Sequence, residues 1–235
     1  MVATQGSYGG RKIPPPSSKS SGSPQGRVER LNPMRKDALL NLIQPLDRGL
    51  KTNAEVNKAV FAAIANLESL NPTPHPTAHP QLLEGNWELL FTTSQALLGF
   101  GRLPLAKLGK IYQCIRIPDN RLYNIAELYG LPLLAGLVSV SAQFTISSPR
   151  RVEVKFDRSI IGLQSFLSYR GGSQGVDQFI KFLETNQKAR AIDIKIDREQ
   201  RGWLEVTYLD EDLRIGRGNQ GNVFVLRKVK TLSFT

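Results

Sequence analysis

The chain has 235 residues, of which 40% are hydrophobic and 22% charged, a composition typical of globular proteins. Its one cysteine, Cys114, excludes an intrachain disulfide, and no apolar run reaches the roughly 18 residues of a membrane-spanning helix. The formal net charge of +11 either favours anionic surfaces such as acidic lipid or nucleic acid, or is spread over a solvated surface.

Residues 1–30 form a basic tail that is rich in Gly, Ser and Pro and includes Pro14-Pro15-Pro16. This composition cannot bury a core, so we expect the tail to be disordered. Its excess of basic over acidic residues is also typical of an organelle transit peptide, although it is short for one and lacks an amphipathic stretch.

Residues 31–71 carry apolar side chains at helical spacing and predict two helices. Pro45 ends or kinks the first helix, and Thr52-Asn53-Ala54-Glu55 fits a capping box that begins the second. The apolar positions are Leu39, Leu42, Ile43 and Leu46, followed by Val56, Val60, Ile64 and Leu67. This apolar face needs a partner, which is either the rest of the chain or another protein.

Residues 72–81 are predicted to form a stiff Pro-rich linker. The linker holds the only two histidines of the chain, His75 and His79. Two histidines four residues apart bind a metal together when they lie on a helix, and the prolines here forbid a helix. No metal site is therefore expected.

Gly85-Asn86-Trp87 begins a stretch of alternating apolar and polar residues that predicts the first strand of a β body. The alternation puts Trp87, Leu89 and Phe91 on one face, with Trp87 filling one end of that body.

The next stretch, residues 96–109, is apolar but interrupted by Gly and Pro. It is either a lid that covers the mouth of a barrel or contacts lipid, or a short helix packed in the core. The residues predicted to contact a membrane are Leu97, Leu98, Phe100, Arg102, Leu103 and Lys107.

From Lys110 onward, strand patterns alternate with short turns. Strands are predicted over residues 111–117, 123–128, 137–147, 151–157, 192–196, 203–209, 213–218 and 222–227, and residues 160–169 fit a further strand at the barrel rim. Residues 171–175 are expected to form a flexible loop, and residues 176–186 fit a helix or a strand.

Eight or nine such strands predict a mainly β fold, an antiparallel barrel over residues 82–229, preceded by the helical segment and followed by a short tail, residues 230–235. A barrel of this size holds one small apolar ligand, or its interior is filled by side chains. The candidate lining residues are Val140, Phe144, Val154, Phe156, Ile194, Val206 and Tyr208.

The residue patterns argue against catalysis, a metal site or a nucleic-acid interface. No nucleophile lies beside a base, and Cys114 sits in a strand-like run as a small buried residue. The aromatic residues are not interleaved with Lys and Arg as a platform for stacking bases requires.

Two motifs at the ends of the β body, Leu82 to Ser94 and Tyr208 to Leu226, are similar to the first and last motifs of the plastid lipid-associated protein family, also called the PAP/fibrillin family. Asp47-Arg48-Gly49-Leu50 and Leu70-Asn71-Pro72-Thr73-Pro74 match its helical lead-in. The resemblance extends from about Asp37 to Lys228.

The resemblance implies a lipocalin-like barrel without a cofactor or an established catalytic activity. It implies a structural or photoprotective role in binding or organising lipids and isoprenoids at thylakoids or plastid lipid droplets (plastoglobules). The short tail favours a cyanobacterial protein, thylakoid-associated or cytoplasmic, over one of the plastid stroma or plastoglobule. The alternative function is a scaffold that recruits an isoprenoid or quinone biosynthesis enzyme through its helices.

The resemblance also assigns a barrel-closing motif. Gly85 and Trp87 would close the barrel floor, with an arginine from a late strand, Arg214 or Arg217, stacked on the tryptophan. Asp210 and Asp212 would pair with those arginines or cap the turn between two strands.

Overall fold

The computed structural model describes residues 24–99, 107–130, 135–185, 190–196 and 201–229, with side chains from residue 31 onward. The predicted C-terminal tail and most of the predicted N-terminal tail lie outside these residues. Within the described residues the fold is mainly β and is preceded by a helical segment, as predicted.

Two helices form the helical segment, α1 (Pro24–Ile43) and α2 (Ala54–Glu68). Helix α1 begins inside the predicted tail, and its apolar periodicity ends in a short 3-10 turn that contains Pro45. Asn53, rather than Thr52 of the predicted capping box, caps α2, because its side chain accepts a 2.9 Å hydrogen bond from the Val56 amide.

Nine antiparallel strands follow among the described residues. They are β1 (Gly85–Thr92), β2 (Lys107–Arg116), β3 (Arg121–Tyr129), β4 (Gly136–Ile146), β5 (Arg151–Leu163), β6 (Ala191–Lys195), β7 (Arg201–Leu209), β8 (Leu213–Gly218) and β9 (Val223–Lys228). They pair in the order β4-β3-β2-β1-β9-β8-β7-β5-β6, and a further pairing of β4 with β5 closes the order on itself. Eight strands therefore form a closed ring, here called the β ring, and β6 extends it beside β5.

Three further helices lie before or between the strands, and one of them corrects part of the sequence prediction. Helices α3 (Pro80–Leu83) and α4 (Gln95–Leu98) flank β1, and α5 (Gly172–Glu184) follows β5. The residues expected to form a flexible loop are the first turn of α5. The reason is its amphipathic pattern: Val176, Phe179, Ile180 and Leu183 recur at helical spacing and are all buried.

The β ring is covered by helices on two sides. Helices α1 and α2 pack through residues such as Leu39 and Ile64 on Ile215 and Val225 of the outer face of β8 and β9. Helix α5 packs on the outer face of β2 to β5, where its buried side chains meet Cys114, Tyr123 and Ile160. A third apolar cluster fills part of the interior of the ring.

Polar contacts between the helices and the turn after β7 fix the helical layer in place. Lys36 of α1 lies 2.8 Å from Asp210 and 2.9 Å from Asp212, and Tyr208 donates a 2.7 Å hydrogen bond to Asp210. Asp210 also caps its turn by accepting hydrogen bonds from the amides of Asp212 and Leu213. Burial opposes ionisation of Asp210, but these hydrogen bonds, from Lys36 first, lower its pKa overall.

We expect Asp210→Asn to lower the free energy of unfolding by about 1–3 kcal/mol at pH 7, because it removes a charged acceptor from this partly buried network. The folded-state pKa of Asp210 lies below its ordinary value of 3.8. Its contribution is therefore complete above that value and is lost as the pH falls through the folded-state pKa. Urea unfolding at pH 7 and in acid measures both effects.

Glu211→Gln in the same turn is the matched control, because no hydrogen bond or ion pair of the Glu211 side chain is found among the described residues. It is expected to change the free energy of unfolding by less than about 0.5 kcal/mol. Equal losses in the two variants would contradict the anchoring role of Asp210.

Candidate functional site

Trp87 closes one end of the β ring. Its side chain is fully buried, and its indole N–H donates a 2.9 Å hydrogen bond to the carbonyl oxygen of Leu83 in α3. Gly85, two residues earlier, has a φ of +120°, a backbone conformation that side chains with a Cβ rarely adopt. The chain therefore turns into β1 at a glycine and places the indole across the floor.

Arg214 is the arginine that stacks on Trp87. Its guanidinium carbon lies 4.8 Å from the centre of the indole ring, and the Lys228 ammonium lies 5.3 Å from the same ring. Arg217 points to the opposite side of β8 and pairs with Glu68 of α2 at 2.8 Å. Asp210 and Asp212 were predicted to pair with these arginines or to cap the turn between two strands. Asp210 caps the turn, and both carboxylates pair with Lys36 rather than with an arginine.

The guanidinium of Arg214 is a buried charge. The residue is only 1% exposed, and burial lowers its pKa to about 9, so it stays protonated at neutral pH. Its Nη2 donates a 2.6 Å hydrogen bond to Oε1 of Gln113, whereas its Nε has no partner. Among the described residues, no carboxylate lies within ion-pair distance of Arg214.

A cavity of about 320 Å³ lies inside the β ring between this floor and the opposite, open end. Its size is at the lower end of the range for small-molecule sites. Apolar side chains dominate the wall, and Gln113 and Asn124 interrupt it. The residues at the open end, here called the mouth, are Leu97, Asn219 and Asn222. The ring of Trp203 stacks on Arg151, whose guanidinium carbon lies 4.1 Å from the ring centre.

Three of the seven predicted lining residues, Val140, Val154 and Phe156, line the cavity. Phe144 and Val206 are buried in the inner apolar cluster but lie outside the cavity wall. They are part of the packed interior, in agreement with the alternative that side chains fill the inside of the barrel.

Tyr208 and Ile194 correct the predicted lining. A β-bulge between Val206 and Tyr208 reverses the alternation of β7, so Tyr208 faces outward, packs against the helices and hydrogen-bonds Asn32. A similar irregularity between Leu89 and Phe91 turns Phe91 outward, away from Trp87 and Leu89. Ile194 is 48% exposed, because β6 lies beyond the cavity.

The residues predicted to contact a membrane separate in the structure. Leu97 lines the cavity, and Lys107 is exposed where β2 begins. Leu98 is only 1% exposed and is therefore core, because it packs under the turn at Gly49. Phe100, Arg102 and Leu103 lie outside the described residues.

The side chain of Cys114 is a buried free thiol. Burial raises the pKa of the Cys114 thiol to about 12, so the thiol stays protonated at neutral pH. None of the helices that the structure describes is long and apolar enough to cross a membrane.

These features define a class: a closed antiparallel ring of strands, sealed at one end by a stacked tryptophan and arginine and open at the other onto an apolar cavity. The chain belongs to the PAP_fibrillin family, whose model matches residues 34–227.

Named relatives agree with this assignment. The chain is 33% identical to the plastid-lipid-associated protein of Citrus unshiu, over 82% of this chain and 67% of the Citrus protein. It is 33% identical to plastoglobulin-1 of Pisum sativum, over 97% of this chain and 71% of the pea protein. It is 34% identical to a probable plastid-lipid-associated protein of Arabidopsis thaliana, over 82% and 70%. The comparison with solved structures gave no significant match.

We expect Trp87→Leu to lower the free energy of unfolding by about 2–4 kcal/mol, because it leaves a void in the floor and removes the aromatic partner of Arg214. Trp203→Leu is the matched control, since Trp203 is partly exposed and stacks on the partly exposed Arg151, 4.1 Å from its guanidinium carbon, so a loss of about 1 kcal/mol or less is expected. Denaturant unfolding of both variants makes the comparison, and equal losses would argue against a special role of the floor.

Proposed function

We propose that this chain is a non-catalytic lipid-associated protein, which holds an apolar lipid or isoprenoid molecule inside the β ring and turns its mouth toward a lipid surface. The observation that carries the proposal is the continuity between the cavity wall and an exposed apolar surface beside it. The absence of a reactive thiol at Cys114 fits a role without catalysis.

Strand register traces that continuity. Val140 on the cavity wall lies opposite Ser159 of β5, which lies opposite Ile194 of β6. The neighbouring row runs from Val138 through Ile161 to Ile192. Directly opposed residues share one face of a sheet, so these isoleucines extend the inner wall beyond the cavity.

The isoleucines of this extension are exposed: Ile161 by 39%, Ile192 by 62% and Ile194 by 48%. Here they are called the isoleucine rim. An apolar surface that continues into an apolar cavity fits a boundary from which an apolar molecule passes into the ring. Lys107 and Lys195, which are exposed near the same end, suit anionic headgroups.

The names of the relatives support a lipid surface in a photosynthetic compartment, since they include plastid-lipid-associated proteins and a plastoglobulin. We place the chain on such a surface, either a thylakoid membrane of a cyanobacterium or a plastoglobule of a plastid. Nucleic acid is not among the proposed partners, because the net charge alone pointed to it.

The alternative function, a scaffold that binds a biosynthetic enzyme through the helices, has less support. It depended on an apolar helical face in need of a partner. Val60, Ile64 and Leu67 of that face are buried against the β ring. Met34 and Phe61 are the large apolar side chains of α1 and α2 that stay exposed among the described residues.

Flotation with vesicles tests the surface contact. The double variant Ile192→Asp/Ile194→Asp is expected to reduce the fraction that floats with vesicles of neutral galactolipid and anionic sulfolipid at least tenfold, because it puts two charges on the isoleucine rim. Ile146→Asp is the control, since Ile146 is 56% exposed at the opposite end of the ring. Equal flotation of the two variants would rule out contact through the rim.

Tryptophan fluorescence tests the cavity. Retinol, a neutral apolar isoprenoid alcohol, is expected to quench the fluorescence of the two tryptophans, Trp87 and Trp203, in a saturable manner. Val140→Phe fills the cavity and should weaken binding at least tenfold, whereas Ile146→Phe should leave it unchanged. Binding that is unaffected by Val140→Phe would contradict a site inside the ring.

A further inference from the structure

Two amides interrupt the otherwise apolar wall of the cavity. Gln113 of β2 and Asn124 of β3 lie directly opposite each other, and both line the cavity. Their neighbours in the same cross-strand row are Trp87 on one side and Val140 on the other. Burying polar groups in an apolar wall costs free energy unless they are hydrogen-bonded. The orientation of these two amides therefore decides which polar atoms a bound molecule would meet.

Arg214 fixes the orientation of the Gln113 amide. A guanidinium can only donate hydrogen bonds, so the Gln113 atom 2.6 Å from Arg214 Nη2 is the oxygen. The NH2 group of Gln113 therefore points away from Arg214 and donates a 3.0 Å hydrogen bond to Oδ1 of Asn124. Rotating either amide by 180° would bring two donors together.

At this pair of amides the arrangement turns N–H donors toward a bound molecule. Each of the two amide oxygens already accepts a hydrogen bond within the wall, Gln113 from Arg214 and Asn124 from Gln113. The Asn124 NH2 group has no partner among the described residues, and Gln113 keeps a second N–H. The unpaired charge of Arg214 lies behind them and makes this part of the wall electropositive.

We propose that the apolar molecule in the cavity ends in an acceptor oxygen, a carbonyl or a carboxylate, which binds the N–H groups of Asn124 and Gln113. A molecule that ends in an ammonium is excluded by the same groups, because it offers only donors and a like charge. This assignment rests on the proposed function, that the ring holds an apolar molecule, and adds which polar end that molecule carries.

Four retinoids with one carbon skeleton and different ends test the proposal: retinoic acid, retinal, retinol and retinylamine. Quenching of tryptophan fluorescence in the full chain measures the dissociation constant of each. The acid and the aldehyde are expected to bind at least tenfold more tightly than the amine. The affinity of retinol is expected to lie between those of the aldehyde and the amine, because its hydroxyl both donates and accepts. Tighter binding of the acid alone identifies a carboxylate end, and equal binding of acid and aldehyde a carbonyl end.

Variants at Asn124 separate this selectivity from cavity binding as such. Asn124→Leu has a similar volume and no donor, so it should bring acid and amine within about threefold of each other while retinol still binds. Asn124→Asp replaces the donor by an acceptor and should reverse the order of acid and amine. Asn66→Leu makes the matched change on the exposed surface of α2, away from the cavity, and should keep the preference of the unmodified chain.

The outcomes distinguish the two proposals. If no retinoid binds to the unmodified chain, the proposed function fails. If all four bind equally, the cavity holds apolar molecules and the selection of an acceptor end is wrong. The same conclusion follows if Asn124→Leu and Asn66→Leu reduce the preference alike. Circular dichroism on each variant identifies any that fails to fold.

Discussion

The stacking of Arg214 on Trp87 is the interaction on which the rest of the β ring depends. An unpaired cation inside a protein is costly, and here the aromatic face and one amide oxygen are what compensate for lost water. The contact ties β8 to β1, and the hydrogen bond to Gln113 ties it to β2. The charge thus seals one end of the ring and also sets the polarity of the wall above it.

The outer surface of the ring is shaped by the need to bury two helical layers. Phe91 and Tyr208 face α1 and α2 only because each strand contains an irregularity that turns one apolar side chain outward. The last family motif therefore has two roles. Arg214 faces inward to Trp87, while Asp210 and Arg217 hold the helices through Lys36 and Glu68.

Most of the strand pattern and both N-terminal helices could be predicted from the sequence, because periodicity reports burial on one face. Beyond a β-bulge this periodicity assigns residues to the wrong face, because one extra residue exchanges the two faces of the strand. Simple alternation therefore placed Tyr208 in the cavity and Phe91 beside Trp87. The first turn of α5 was predicted as a loop because of its glycines, whereas a helix was one of the two alternatives left open for the repeat that begins at Val176. The choice between Arg214 and Arg217 needed the positions of Leu213 and Ile215, which face the helices.

The amides of Gln113 and Asn124 are polar residues within apolar strands, and this pattern could have indicated a polar spot in the cavity wall.

The pairing of β1 with β9 has a consequence for how the chain is made. The first and last strands of the ring are neighbours, so the ring cannot close until β9 has left the ribosome. Until then α1 and α2, synthesised first, have no β8 or β9 to cover their apolar face, and Trp87 has no Arg214. Such non-local pairing slows folding and exposes apolar surface to aggregation. A nascent chain of this topology therefore depends on protection of its oldest segment during synthesis.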